Sequence, residues 1–281
     1  MKRIVWVASY PKSGNTWVRL FIAALRHRMK SADEPFNPNA IANEAEFHQD
    51  NARRLYEPLF NRGWAAATKV DMAHARPLVH QWIAKSAKKA TPIVKTHNAN
   101  ISVDGAPTIT QAVTRGAIYV VRHPFDVAVS VKDHFGAPDY DVAIQQMLFK
   151  NYVQRKDDRF VDAPVGSWSQ NVRSWIETPN PKIHVVRYED LLGDPAQHFA
   201  KIAGILGVTD RAKIERAVSD VEFGVLKAAE EKSGFVETSS RAEKFFARGI
   251  AGSGEALLND AQKKALSEGV AQAARLQGYE M

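Results

Sequence analysis

Short apolar runs, each ending in polar residues and set apart by stretches of helical period, organise the chain. Ile4, Val5, Trp6 and Val7 form the first run. Its β-rich composition and the turn chemistry at Ser9-Tyr10-Pro11 predict a buried strand that Pro11 ends. Beyond Gly14, apolar positions Trp17, Leu20, Phe21, Ala24 and Leu25 recur at helical spacing. The same signals predict strands over 91–97 (TPIVKTH), 117–122 (AIYVVR) and 182–188 (KIHVVRY). Helices are expected over 125–135, 142–156, 168–178, 195–206, 210–218, 223–232 and 259–277. Residues 31–92 are the least regular part, with a Pro/Asn loop and helix-compatible stretches over 44–62 and 75–89. There Phe47, Tyr56, Phe60, Trp64 and Trp82 are spaced as buried faces.

Strands alternating with helices imply an α/β fold with a mostly parallel sheet and right-handed crossovers. The length of 281 residues suits one domain over 1–281. Segments 31–92 and 233–254 read as insertions, the second a Gly/Ser/Arg-rich mobile lid. Ligands of such sheets bind at the carboxyl ends of the strands. All four expected strands end in chemically capable residues: Lys12 after the first, Lys95 and His97 at the second, Arg122 at the third, Tyr188 at the fourth.

The loop Ser9–Gly14 delivers backbone N–H groups to a helix N-terminus, where an anion is favoured. Against the pattern G-x-x-x-x-G-K-[ST], Gly14 and Thr16 match, Asn15 replaces the Lys, and Lys12 stands three residues early. A phosphate loop without the late Lys suits a nucleotide end that lacks a γ-phosphate. Lys12 is placed to reach a leaving oxygen. Alternation puts Lys95 and His97 on one strand face. Group transfer to a hydroxyl or amine needs a base near neutrality and cations for the leaving charge. Arg122 and Ser130, two helical turns apart, are near enough to touch one phosphate.

The stretch SYPKSGNTW, over 9–17, resembles the 5′-phosphosulfate loop of the sulfotransferases that use 3′-phosphoadenosine 5′-phosphosulfate (PAPS), with Asn15 in place of a Thr. The likeness runs in order from residue 4 to about 254. It implies a P-loop NTPase-like central parallel sheet flanked by helices, and transfer of a sulfuryl group that leaves adenosine 3′,5′-bisphosphate. By this resemblance Lys12, Ser13, Gly14, Asn15 and Thr16 hold the 5′ end. His97, in a KTH element, is the catalytic base, with Lys95 beside it. YVVRHPFDVAVS resembles the 3′-phosphate segment, giving that role to Arg122 and Ser130, the latter also helping to hold Lys12. Tyr188, in a YED element, contacts the adenine, and Trp17 and Phe223 stack on it. FFARGIAGSG, over 245–254, is similar to the RKGxxGDW signature. Arg248 and Gly249 align with its Lys-Gly pair, while Ala247, Gly254 and Glu255 depart from it. One cation on the 3′-phosphate is thereby lost, with Arg241 or Lys244 the candidates to compensate.

Composition narrows the remaining classes. The chain has no Cys, which excludes disulfides, thiolate nucleophiles and Cys metal sites. His and acids do not fall at metal-ligand spacing, so no metal is expected. No run approaches the ~20 apolar residues of a membrane span, and an unexported, cytoplasmic protein is expected. The net charge of +7 draws polyanions, but Arg26-His27-Arg28-Met29-Lys30 reads as a basic helix end rather than a nucleic-acid site. The acceptor, whether small molecule, lipid or glycan, and the oligomeric state are not legible. Two other readings stay open: a P-loop kinase or NTPase, which would turn over ATP with Mg²⁺, and a nucleotide-binding homologue that has lost catalysis.

Overall fold

Strand β1 (Ile4–Ser9) is buried along its whole length, and its side chains divide by parity between two cores. Ile4, Trp6 and Ala8 face one hydrophobic cluster, and Val5 and Val7 face the other. This is the period of two expected of a strand covered on both faces. The computed structural model describes residues 2–281 apart from 32, 44–45, 61–62, 88–89, 155–156, 179–181, 239–243 and 247–248. Among the described residues, β1 is the centre of a five-stranded sheet. The other members are β2 (Phe47–Gln49), β3 (Ile93–Thr96), β4 (Thr114–Val121) and β5 (Ile183–Arg187). The order is β2-β3-β1-β4-β5 and every pairing is parallel.

In chain order, the covering helices are α1 (Asn15–Lys30), α2 (Lys69–Ser86), α3 (Pro124–Phe135), α4 (Tyr140–Leu148), α5 (Trp168–Ile176), α6 (Pro195–Leu206), α7 (Arg211–Ser219), α8 (Phe223–Ser233) and α9 (Asp260–Arg275). The face of Trp6 packs on α2, α3, α4, α5 and α9. The face of Val5 packs on α1, α6, α7 and α8. Trp6 is fully buried, donates to Thr114 Oγ1 at 2.9 Å and meets the edge of His80 at 4.8 Å. On the other face Phe21 stacks on Phe199 at 4.3 Å. The helices that follow β1 and β4, adjacent strands, therefore lie on opposite faces. That is the arrangement in which a crevice opens beyond the strand ends.

Register sets those ends level. Ala8 pairs with Thr96, Ser9 with Val120, and Val121 with Arg187. Lys12, His97, Arg122 and Tyr188 thus leave the sheet along one edge.

Several expectations are corrected. Phe47 begins an edge strand rather than a helix, and only Arg53–Tyr56 of the stretch 44–62 is α-helical. Trp82 is 54% exposed, on the outer face of α2. Helix α4 stops at Leu148, where Phe149 turns to extended backbone at ψ 112°, and Val153–Gln154 then pairs with Ala163–Pro164. Segment 233–254 is partly tied down, with Phe235 and Phe246 buried.

Candidate active site

The loop after β1 is set by its side-chain anchors. Asn15 Nδ2 donates to Val7 O at 2.8 Å, and Asn15 Oδ1 accepts from Arg19 Nε at 2.9 Å. Its side chain is therefore spent on the scaffold, and what Asn15 offers a ligand is its backbone N–H. Gly14 caps α1 at φ 104° without a side-chain cap. A Cβ there would lie 2.6 Å from Tyr188 Cδ2. Only glycine brings the loop this close to the ring. The first-turn N–H groups of α1 then face the crevice.

The crevice, about 1040 Å³, gathers the expected residues at one place: Lys12, Gly14, Asn15, Thr16, Trp17, Lys95, His97, Arg122, Ser130, Tyr188, Phe223 and Gly249 all line it. Ser13 sits directly beneath, 1% exposed, and its Oγ has no hydrogen-bond partner among the described residues. The same holds for Arg122 Nε. Arg122 lies 4.5 Å from the Tyr188 ring centroid, and its Nη2 donates to Ile250 O at 3.0 Å. Trp17 meets Tyr188 edge-on at 5.8 Å and anchors its indole N–H on Val221 O at 2.8 Å. Gly249 passes so close to Phe223 that a Cβ would lie 2.3 Å from the ring. Arg248, Ala247 and Arg241 lie outside the described residues. Lys244 is paired with Glu231 at 2.8 Å.

His97 is oriented by a dedicated frame. Thr96 Oγ1 and Asn98 Nδ2, on either side of it, both donate to Asp50 Oδ2, at 2.8 and 2.6 Å. Asn171 Nδ2 donates to His97 O at 2.9 Å. His97 Nδ1 lies 2.9 Å from Ser9 O. A carbonyl only accepts, so Nδ1 carries the ring proton and Nε2 keeps its lone pair. Burial, with Lys95 next, pushes the His97 pKa down to about 3, so the ring stays neutral. Burial pushes Asp50 up to about 6.

Burial, then Lys95 and Arg122, lowers Lys12 to about 8. Its ammonium lies 5.3 Å from the Phe245 ring centroid. Burial lowers Lys95 as well. His134, one turn beyond Ser130 on α3, also lines the crevice, and burial followed by Lys12 and Lys95 lowers it to about 4. Such displaced groups in one cleft are a mark of function.

Sequence reasoning missed the acids that organise the site. Asp126, 1% exposed, accepts from the backbone N–H of Gly252 at 2.8 Å and of Gly254 at 2.7 Å. Glu230 accepts from Thr238 Oγ1, Phe245 N and Phe246 N. Glu237 accepts from Thr16, Arg19 and Lys95. Nothing local in the sequence marks Asp126, Glu230 or Glu237. By contrast Glu189 serves the scaffold, accepting from His123 N at 2.8 Å and Tyr279 OH at 2.7 Å. His123 is a capping residue of α3.

The far end of the crevice is polar, with Gln49, Asn51, Arg53, Asp157 and Arg159 around Phe160. Gln154, Asp158 and Phe135 line the crevice as well. No helix among the described residues is long and apolar enough to cross a membrane.

Comparison with known proteins agrees with this geometry. No curated protein matches the chain by sequence. Among solved structures, mouse sulfotransferase SULT7A1 complexed with PAP aligns with a TM-score of 0.60 at 18% identity, over 98% of this chain and 84% of that one. Retinol dehydratase in a complex with retinol and PAP aligns with a TM-score of 0.63 at 17% identity, over 99% and 83%. A putative steroid sulphotransferase of Arabidopsis thaliana gives 0.53 at 16% identity, over 99% and 78%. At these identities the likeness establishes the fold. The model of the sulfotransferase domain matches residues 2–278, and the chain belongs to that family.

Proposed function

We propose that the protein transfers a sulfuryl group from PAPS to a hydroxyl or amine of a small-molecule acceptor, with His97 as general base. The observation that carries this reading is the contact of His97 Nδ1 with Ser9 O at 2.9 Å, which assigns the ring proton to Nδ1 and leaves the Nε2 lone pair free, on a ring lining the crevice that also holds Lys12 and Lys95. The unpartnered Ser13 Oγ and Arg122 Nε suit anionic oxygens at the two ends of a bisphosphorylated nucleoside. Trp17, Tyr188 and Phe223 supply aromatic faces for its purine, where stacking contributes roughly 1–3 kcal/mol per base.

Bound PAPS supplies the activated sulfuryl group, and the chain's residues do the rest. The loop N–H groups, Ser13 and Thr16 bind the 5′ end. Arg122 and Ser130 bind the 3′-phosphate, with Gly249 on the same crevice; the family resemblance adds Arg248, which lies outside the described residues. His97 Nε2 takes the acceptor proton as the acceptor oxygen or nitrogen bonds to sulfur and the bond from sulfur to the phosphate oxygen breaks. Lys12 and Lys95 stabilise the charge left on that oxygen. The polar far wall orients the acceptor.

The test is transfer of labelled sulfur from PAPS to a panel of phenols, alcohols, amines and glycans, read by product mass. The wild type should label at least one acceptor class. His97→Ala should bind adenosine 3′,5′-bisphosphate as the wild type does and lose transfer by 10²-fold or more, the range for a general base. Full activity in His97→Ala would remove it from the reaction.

A further inference from the structure

The carboxylate of Glu237 sits on groups that the proposed reaction needs. Its Oε2 accepts from Thr16 Oγ1 at 2.8 Å and from Arg19 Nη2 at 2.6 Å, and its Oε1 lies 3.5 Å from Lys95 Nζ. Burial opposes its charge, yet Arg19 and Lys95 hold the carboxyl well below the usual carboxylate range. It is thus a permanent anion among buried cations.

Thr16 belongs to the 5′-binding loop and Lys95 to the transfer machinery. A hydroxyl has one proton, so Thr16 cannot donate to Glu237 and to a cofactor oxygen at once. Lys95 is likewise divided between the carboxylate and an incoming negative charge. Arg19 differs: its Nε is fixed on Asn15 Oδ1, behind the loop. It stays as the partner of Glu237 in either arrangement.

Glu237 arrives on a strap held at both sides. Val236 N donates to Asn39 Oδ1 at 2.9 Å, and Thr238 Oγ1 donates to Glu230 Oε1 at 2.8 Å. Phe235 packs against Phe246 at 5.0 Å. Loss of the Thr16 and Lys95 contacts is therefore felt by the strap. The strap also borders the Phe245 ring over which Lys12 lies.

We propose that Glu237 is an internal competitor of the cofactor's 5′ anion: it occupies the Thr16 hydroxyl and neutralises Arg19 and Lys95 in the free enzyme, and cofactor binding takes Thr16 and Lys95 from it and loosens the strap around residue 237. This rests on the reading of the crevice as a PAPS site. Glu237 acts through Lys95 and the strap, which makes it a positioning residue rather than a catalytic one.

Calorimetric titration of two probes into wild type and Glu237→Gln tests it. Adenosine 3′,5′-bisphosphate should bind the variant about tenfold more tightly, the gain of one charge-assisted contact no longer contested. Adenosine 3′-monophosphate, which lacks the 5′ anion, should bind both proteins alike. The variant should also melt at a lower temperature when free, because Arg19 and Lys95 lose their counter-charge. Unchanged or weaker bisphosphate binding in the variant would overturn the competition. Bisphosphate that binds neither protein would overturn the PAPS site itself. A measurement on the wild type alone covers a variant that does not fold. Hydrogen exchange at residues 236–238 should quicken on adding the bisphosphate and not the monophosphate, and slower or unchanged exchange would overturn the proposal.

Discussion

Gly14→Ala probes the narrowest fit in the site. Two separate costs are written into that position. Its φ of 104° lies where L-residues are strained, which costs about 1–2 kcal/mol. Its new Cβ would also lie 2.6 Å from Tyr188 Cδ2 and 3.3 Å from Cε2, so the ring must move. Overpacking of this kind costs typically about 1–3 kcal/mol. The sum is about 2–5 kcal/mol, a large part of the ordinary stability of a domain. Tyr188 cannot move alone, because the Arg122 guanidinium lies over its ring at 4.5 Å. Displacement of the ring therefore reaches a cation assigned to the 3′-phosphate, and bisphosphate affinity should fall with stability. Denaturant unfolding and calorimetry on Gly14→Ala, Tyr188→Ala and the double variant separate the two costs. In the Tyr188→Ala background the clash is gone and only the φ strain remains, so Gly14→Ala should cost about 1–2 kcal/mol there. Equal costs in both backgrounds would refute the close-approach argument. Undiminished bisphosphate affinity in the single variant would refute the coupling through Tyr188 and Arg122.

Other outcomes follow from the same geometry. In the proposed transfer Lys12 must be charged to stabilise the leaving oxygen, and burial lowers it to about 8, so kcat/KM should fall as pH rises through about 8. No acid limb should come from His97, which stays neutral down to about 3; since Asp50, which frames it, is pushed up to about 6, the comparison is made in Asp50→Asn, where an acid limb near 6.5 would contradict this. Asp126→Ala removes the acceptor of the buried Gly254 N–H and the part-buried Gly252 N–H, and should cost about 2 kcal/mol in denaturant unfolding, with a loss of bisphosphate affinity as Ile250 shifts from Arg122. His80, fully buried, has its pKa lowered from 6.5 to about 3 by burial. The unfolded chain therefore binds more protons between those values, and stability is lost as pH falls below 6.5. At pH 5 the loss from this residue is about 2 kcal/mol, which His80→Gln should abolish in a comparison of unfolding at pH 7 and pH 5.

The sequence made the centre of the molecule readable because each signal there is local. The apolar run of β1, its stop at Pro11 and the helical recurrence after Gly14 fall within 25 residues. The strand ends at His97, Arg122 and Tyr188 were legible for the same reason. Strand β2 was not, since three residues carry no period and Phe47–Gln49 is defined only by its pairing with β3. Helix α4 was read too long because the turn to extended backbone at Phe149 is marked by no Gly or Pro. Trp82 was placed inside because aromatic spacing does not say which face of α2 is covered.

The unread part of the site has a common physical cause. Asp50, Asp126, Glu230 and Glu237 act on groups that only the folded chain brings to them, and Glu237 lies 142 residues from Lys95 in the chain. A carboxylate on a helix or in a loop is by default a solvated one, and only the fold converts these four into anchors. Asn15 shows the converse. It stands in the loop as a binding residue would, yet its side chain is consumed by Val7 and Arg19.

The central claim is that the loop after β1 and the ends of β3, β4 and β5 form one seat for a bisphosphorylated nucleoside. Calorimetric titration of adenosine 3′,5′-bisphosphate into wild type, Lys12→Ala and Arg122→Ala tests it most directly. The account predicts one site per chain in the wild type and an affinity reduced tenfold or more in each variant, about 1.4 kcal/mol or more. Absence of binding in the wild type, or wild-type affinity in both variants, would contradict it.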